Sequence, residues 1–431
     1  MRNLWALVAL VHGLAAPVSP AAAQASAPAD VEQLKAVVAK QAEMIRELQE
    51  RLSKLEGASA AGKAQSSDEP PVPAVTLPMP ASPSRSVGQG GSASALPDIA
   101  VFGNNLGRLL AAKGEPSRSQ FRISELELAL QQRVADGVLF RSTLAAGEEA
   151  DFAMGLEEGY VTFTRLGVPG LGGTLGKRRL PFGKLNPIHP HAAPYAETPA
   201  ALRYLADPDG LSGNGAALNW LLPIPSLYAN LELGAVQVGA SDAEVARPDL
   251  TGATLPLGLG ATGTVPMGRL WLSKALNPST ELEMGSSALA GKADSGDSVR
   301  LVGADVTLKQ ALGAFSRWQL QGEALWHTRR DAGSRLSHTR SGAYLAALYA
   351  PDQYREFGLR YDDSRLPWPL EGGERLLSLI WSNRLTESSL WRLQLAHGDR
   401  TTDALLPSRR GLTELTLQFV WGAGSHSHPL Q

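Results

Sequence analysis

From residue 98 onward the dominant pattern is alternation of apolar and polar residues at period two, broken by turn residues. In Arg317–His327 one phase is Trp318, Leu320, Gly322, Ala324 and Trp326; the other is Arg317, Gln319, Gln321 and Glu323, closed by Leu325 and His327. The same division separates Val302, Ala304, Val306 and Leu308 from Gly303, Asp305, Thr307 and Lys309. It separates Phe357, Leu359 and Tyr361 from Glu356, Gly358, Arg360 and Asp362, and Trp391, Leu393 and Leu395 from Arg392, Gln394 and Ala396. In the last segment Leu415, Leu417, Phe419 and Trp421 oppose Glu414, Thr416 and Gln418. One greasy and one polar face over roughly ten residues is the pattern of a strand that crosses a bilayer at a tilt.

Further candidate strands lie at 119–133, 136–145, 155–166, 172–179, 214–221, 227–238, 254–263, 267–276, 279–289, 341–350 and 374–384. The predicted fold is therefore all-β, a transmembrane antiparallel β-barrel of about 16 strands over 98–431. Tyr160, Trp220, Tyr228, Trp271, Trp318, Trp326, Tyr354, Trp381, Trp391 and Trp421 fall near strand ends, as two interfacial girdles require. A soluble sandwich also alternates, but its strands are shorter, about 5–6 residues. A polar inner face of Arg, Glu, Gln and Asp also suits a wet lumen better than a packed core.

The front of the chain follows other rules. Arg2, the apolar stretch Leu4–Leu14 and the small residues around Ala21–Ala25 read as a secretory signal over 1–25. Residues 30–56 carry a heptad with Val31, Val38, Ile45 and Leu52 at a, and Leu34, Gln41, Leu48 and Leu55 at d. A seam held at period 3.5 implies a coiled coil between copies of the chain, with Gln41 as a polar intrusion bearing on oligomer number. A lone amphipathic helix is the alternative, and Val37 and Met44 do widen the apolar face. Residues 57–97, rich in Pro, Ser and Gly, form an extended linker.

Composition removes other classes. The 431 residues hold 40 Lys+Arg, 42 Asp+Glu and no Cys. Near-neutral charge offers nothing to attract nucleic acid. Without cysteine there is no disulfide framework, thiolate metal site or cysteine nucleophile. Mean hydropathy is −0.11 and no internal apolar run reaches the length of a membrane helix. No G-x-S-x-G elbow, P-loop or H-E-x-x-H motif occurs, so no enzyme and no cofactor is expected.

Several blocks resemble a known group. These are Pro97–Asn104, Phe121–Leu128, Glu157–Phe163, Pro181–His191 and Asn219–Pro223. Together they resemble proteobacterial outer-membrane porin-like proteins, some labelled phosphate-selective porin-like and others zinc-regulated TonB-dependent receptors. The order of signal, coiled coil and barrel is similar to that of trimeric porins with a periplasmic coiled coil. The resemblance implies an outer-membrane channel and a homotrimer, with the coiled coil in the periplasm. Active transport fits poorly, because a 22-stranded transporter needs a separate plug domain and none precedes the barrel. Passive diffusion of small solutes is the expected function. An envelope tether and a metal-related receptor are the alternatives.

Two sets of residues carry candidate chemistry. Lys177, Arg178, Arg179 and Lys184 lie among the ladder-breaking prolines 181, 187, 190 and 194. They would make a basic constriction for anionic solutes if this segment folds into the lumen. Alternatively Lys177–Arg179 merely ends a strand at the headgroups. Glu125, Glu127, Glu157 and Glu158 could face those cations across the lumen. His189 and His191, like His426 and His428, have a spacing that puts both rings on one side of an extended chain. Imidazole suits Zn, Cu and Ni, yet a tight site needs further ligands, and a proline-rich turn is the plainer account of the first pair.

Overall fold

The computed structural model describes residues 97–113, 116–148, 151–238, 244–245, 255–256, 258–401 and 409–424. The signal-like segment, the heptad seam Val31–Leu55, the linker, and His426 and His428 lie outside them. In chain order the strands are β1 (Asp98–Ala112), β2 (Arg118–Ala135), β3 (Val138–Ala146), β4 (Gly155–Phe163), β5 (Leu171–Arg179), β6 (Ser212–Leu221) and β7 (Tyr228–Val238). The short β8 (Glu244–Val245) and β9 (Leu255–Pro256) form a separate hairpin. Then follow β10 (Gly263–Asn277), β11 (Thr280–Lys292), β12 (Ser298–Ala311), β13 (Arg317–Arg330), β14 (Ser337–Ala350), β15 (Arg355–Arg365), β16 (Gly373–Thr386), β17 (Ser389–Thr401) and β18 (Arg409–Gly424). Every strand but β8 and β9 joins one antiparallel sheet, and β1 pairs with β18 to close it, giving the expected 16-stranded barrel.

Two strand assignments differ from the sequence reading. Residues 254–263 do not form a wall strand of their own, and only Gly263 among them belongs to one, as the first residue of β10. Leu255–Pro256 pairs only with Glu244–Val245, and beyond it Gly258 and Leu259 donate to the carbonyls of Tyr204 and Ala206 at 2.9 and 2.7 Å. The missing wall strand is β1, whose alternation is diluted by Gly103, Asn104, Asn105 and Gly107. Gly103 is needed there: a Cβ would lie 2.2 Å from the Trp421 indole, which lies across the strand.

The outward face matches the predicted apolar phases. Leu345, Leu359, Leu377, Leu379 and Leu395 are exposed on it, while Arg360, Asp362, Ser378, Arg392 and Gln394 point inward and are buried. A closed barrel with its grease outside is the arrangement a bilayer selects. Among the described residues no helix is long and apolar enough to cross a membrane. Register aligns an aromatic band near the tight-turn end: Trp318 opposes Tyr349, Tyr349 opposes Phe357, Phe357 opposes Trp381, and Trp391 opposes and stacks on Phe419. Trp271 does not join a girdle. It shares the inward phase of Arg269 and packs under the Lys184 ammonium, 5.5 Å from its ring.

The lipid-facing assignment yields a direct expectation. Leu379 is mid-strand in β16 and 57% exposed. Leu379→Arg should destabilise the folded barrel by about 2–4 kcal/mol, the cost of an arginine at the bilayer midplane. Urea unfolding in liposomes measures this, and an unchanged midpoint would remove Leu379 from the lipid face.

Candidate functional site

The connection from β5 to β6, residues 180–211, turns inward and crosses the lumen. Its prolines forbid a continued ladder, leaving only a short 3-10 turn (Pro190–Ala192) and a π turn (Leu202–Ala206). Buried Asn186 clamps the entrance: its amide donates to the carbonyls of Leu180 and Leu211 and its oxygen accepts from the Leu211 amide, all within 2.9 Å. Gly183, at φ +64°, brings backbone against the wall where a Cβ would strike Glu323. The amides of Lys184 and Leu185 then donate to the Glu323 carboxylate at 3.0 and 2.9 Å.

One side of the segment is dry. Leu180, Phe182, Tyr204 and Leu205 are almost wholly buried against Val265, Leu289, Leu301 and Leu325 of the inner wall. The expected polar inner face thus carries an apolar patch. Near the long-loop end the inward phase turns apolar, and the segment supplies the surface that covers it. Hydrophobic burial thus holds the segment inside the barrel.

The opposite side is charged. Glu374 accepts from Arg203 at 2.5 Å, from the Tyr204 hydroxyl at 2.7 Å and from Arg400. Arg360 donates to Asp362 at 2.8 Å and to the Glu197 carbonyl at 2.7 Å, beneath the Tyr195 ring. Arg108 pairs with Glu414 at 2.6 Å. On β10 and β12, the strands that also carry Val265 and Leu301 of the dry side, Arg269 grips Asp305 through both terminal nitrogens, at 2.9 and 3.1 Å. Charges withdrawn from water this far persist only when paired.

At the wall formed by β2 and β4, His189 and His191 meet four carboxylates. His189 Nε2 lies 3.0 Å from Glu158. Its Nδ1 lies 3.2 Å from Glu127 and 3.3 Å from Glu157. His191 Nδ1 lies 3.5 Å from Glu125 and 3.4 Å from Glu127, and its ring stacks on Phe102. Burial alone would lower the His189 imidazole. The facing carboxylates of Glu127, Glu157 and Glu158 outweigh it and push it up to about 12, so with protein groups alone around it the ring is an imidazolium.

The four cations anticipated from sequence each take a different partner. Lys177 lies near the end of β5, is largely turned away from the lumen and donates to the Leu156 carbonyl at 2.6 Å. Its neighbour Arg178 points inward to Glu232. Arg179 is buried beside Glu157 at 3.8 Å, and Lys184 pairs with Glu283. Glu125, Glu127, Glu157 and Glu158 gather mainly around the histidines rather than spreading opposite the cations. Sequence reasoning missed Arg203, Arg360, Glu374 and Arg400. The available signal was charge on an inward phase, and pairing partners as far apart as Arg203 and Glu374 are set by the inward fold.

No family model matches this chain. A protein of Aquifex aeolicus (strain VF5), described as uncharacterized, is 26% identical over 307 residues. That match spans 64% of this chain and 63% of the relative, just under two thirds of its length. Among solved structures, the anion-selective porin from Comamonas acidovorans aligns over 77% of this chain and all of its own, with TM-score 0.54 and 12% identity. The outer membrane channel DcaP of Acinetobacter baumannii aligns over 78% of this chain and 99% of its own, with TM-score 0.51 and 11% identity. These likenesses are of fold: the barrel is built as outer-membrane porin barrels are.

Proposed function

We propose that the protein is an outer-membrane porin-like channel for passive diffusion of small solutes, narrowed by residues 180–211. The observation that carries this reading is a closed barrel with an apolar exterior and a charged, inward-folded connection anchored around its inner wall. Tight turns mark the periplasmic end by the usual barrel asymmetry. A small pocket there is lined by Arg317, Arg355, Arg384 and Arg392 against Asp352 and Glu356. Arg355 pairs with Asp352 and Arg317 with Glu356, while Arg392 is held by the neutral Ser382 and Gln418. The net positive charge supports a preference for anionic solutes. Arg178, Arg179 and Lys184 add polar lining, but each faces a carboxylate and so contributes little net field.

Planar-bilayer recording of the full chain tests this. Steps in triplets support a trimeric channel, and a barrel that never conducts favours the tether. In a salt gradient, Arg317→Gln with Arg384→Gln should shift the reversal potential toward cations. Neutralising Lys177, Arg178 and Arg179 together should shift it less. An unchanged potential in the first variant would refute this arginine-lined pocket as the source of selectivity.

A further inference from the structure

The cluster on β2 and β4 has a feature that diffusion does not need. Glu125 Oε2, Glu127 Oε2, Glu157 Oε2, His189 Nδ1 and His191 Nδ1 are all buried, and none has a hydrogen-bond partner. Each points at the others. The ligand atoms of Glu125, Glu127, Glu157 and His189 lie within 4.8 Å of one another, and His191 Nδ1 approaches two of these carboxylates at 3.4 and 3.5 Å. Contacts of 3.2–3.5 Å that fail hydrogen-bond geometry are costly if they are merely polar atoms withdrawn from water. They are also the separations of atoms sharing one cation, since ligands about 2.0–2.2 Å from a metal lie roughly 3–3.5 Å apart. The cluster is more than a collection of carboxylates: the His191 side chain is 98% buried, and its unpartnered nitrogen is aimed into the group.

We propose that Glu125, Glu127 and Glu157 of the wall and His189 and His191 of the inward segment bind one divalent first-row transition cation, which fastens the segment to the barrel. Mixed imidazole and carboxylate ligands select this class. Calcium and magnesium prefer oxygen alone, and a chain without cysteine offers no thiolate for soft ions. Glu158 completes the arrangement from outside. Held 3.0 Å from His189 Nε2, it accepts the Nε2–H hydrogen bond and fixes the proton on that nitrogen, so that when the cation displaces the Nδ1 proton the Nδ1 lone pair faces inward, the usual carboxylate–imidazole–metal arrangement. Stacking on Phe102, with centroids 4.8 Å apart and planes 9° from parallel, fixes the second ring. Charge agrees as well. Three carboxylates converge in a buried site, and Arg179, 3.8 Å from the other oxygen of Glu157, offsets only part of their charge. A dication offsets most of the remainder.

The placement of the ligands gives the ion its role. Three sit on rigid strands and two on a proline-bound turn, so the ion cross-links the segment to the wall. Binding to the folded state alone stabilises it in proportion to the logarithm of ion concentration over Kd. The site stands on these five atoms and not on conduction, so either reading can fail without the other.

The test uses the full chain purified from outer membranes in detergent, stripped with chelator and titrated with Co²⁺. The background carries His426→Gln and His428→Gln, so that the tail histidines cannot contribute. One Co²⁺ per chain, with visible d–d bands of a nitrogen–oxygen site that Zn²⁺ abolishes, is the expected result. His191→Gln and Glu127→Gln should each weaken binding more than 100-fold, and Glu158→Gln by about 10–100-fold as an outer partner. Heat-modifiable gel mobility verifies that each variant is folded. Zn²⁺ should raise the thermal midpoint of the parent and leave that of His191→Gln unmoved. A parent protein whose Co²⁺ spectrum stays that of the aquo ion overturns the proposal and leaves an imidazolium–carboxylate cluster. Equal binding by the parent and a folded His191→Gln overturns it too.

Discussion

Replacing residues 182–209 by a short glycine-containing turn should raise single-channel conductance several-fold. Barrels of about 16 strands are wide enough to hold an aqueous channel. Here parts of the inner wall are shut off from water: Leu301, Ser378, Glu374 and Gln418, spread over three strands, are wholly buried. The inward segment accounts for that burial through its apolar side at Leu301 and its charged side at Glu374. The excision is sterically simple, because Leu180 and Leu211 are already hydrogen-bonded at 2.8 Å and a tight hairpin can join β5 to β6. Wall groups such as Asp362 and Glu323 would lose their loop partners but gain water, so the barrel should survive. Recording in planar bilayers checks the outcome. A conductance equal to that of the parent would mean that solutes pass by a route the segment does not obstruct.

Glu374→Gln should be among the most destabilising single substitutions. The carboxylate is wholly buried and receives Arg203, Tyr204 and Arg400 together. The amide retains the volume and removes the charge, leaving two buried guanidinium groups undercompensated. Breaking a buried pair in this way costs about 3–5 kcal/mol. Arg203 keeps Glu197 at 3.9 Å and Arg400 keeps Glu414 at 3.7 Å, which places the expectation near 3 kcal/mol. Denaturant unfolding in detergent measures it, with Arg375→Gln as a control, since Arg375 pairs with Asp363 in an exposed position where little is gained. A loss below about 1 kcal/mol would show that water reaches the Glu374 network and screens it.

The two variants probe different levels of legibility. Alternation in Arg317–His327 and Leu412–Trp421 identified both faces of β13 and β18 residue by residue, because pleating gives side chains a period of two whatever surrounds them. The same rule failed where glycine and asparagine interrupt it, in β1, and overreached at 254–263, where Leu255–Pro256 pairs with Glu244–Val245 and Gly258 and Leu259 bond to the inward segment instead of joining the wall. The basic run near Lys177 was visible, but its partners were not. Arg178 meets Glu232, 54 positions away, and Lys184 meets Glu283, 99 positions away.

The histidines mark the boundary most clearly. The pair His189 and His191 was legible as a ligand-like spacing, and without organised companions a rigid turn was the plainer account. The companions are Glu125, Glu127 and Glu157, brought to them by β2 and β4 and by a connection that folds inward. Local chemistry thus determined by itself that the chain makes strands, which face of each is greasy, and that they close into a lipid-facing barrel. Only the tertiary structure decided what fills that barrel and which charges meet inside it. Alternation is a property of neighbours in the chain. The filling of a lumen depends on loop closure over tens of residues and on burial of apolar wall that no strand can cover for itself.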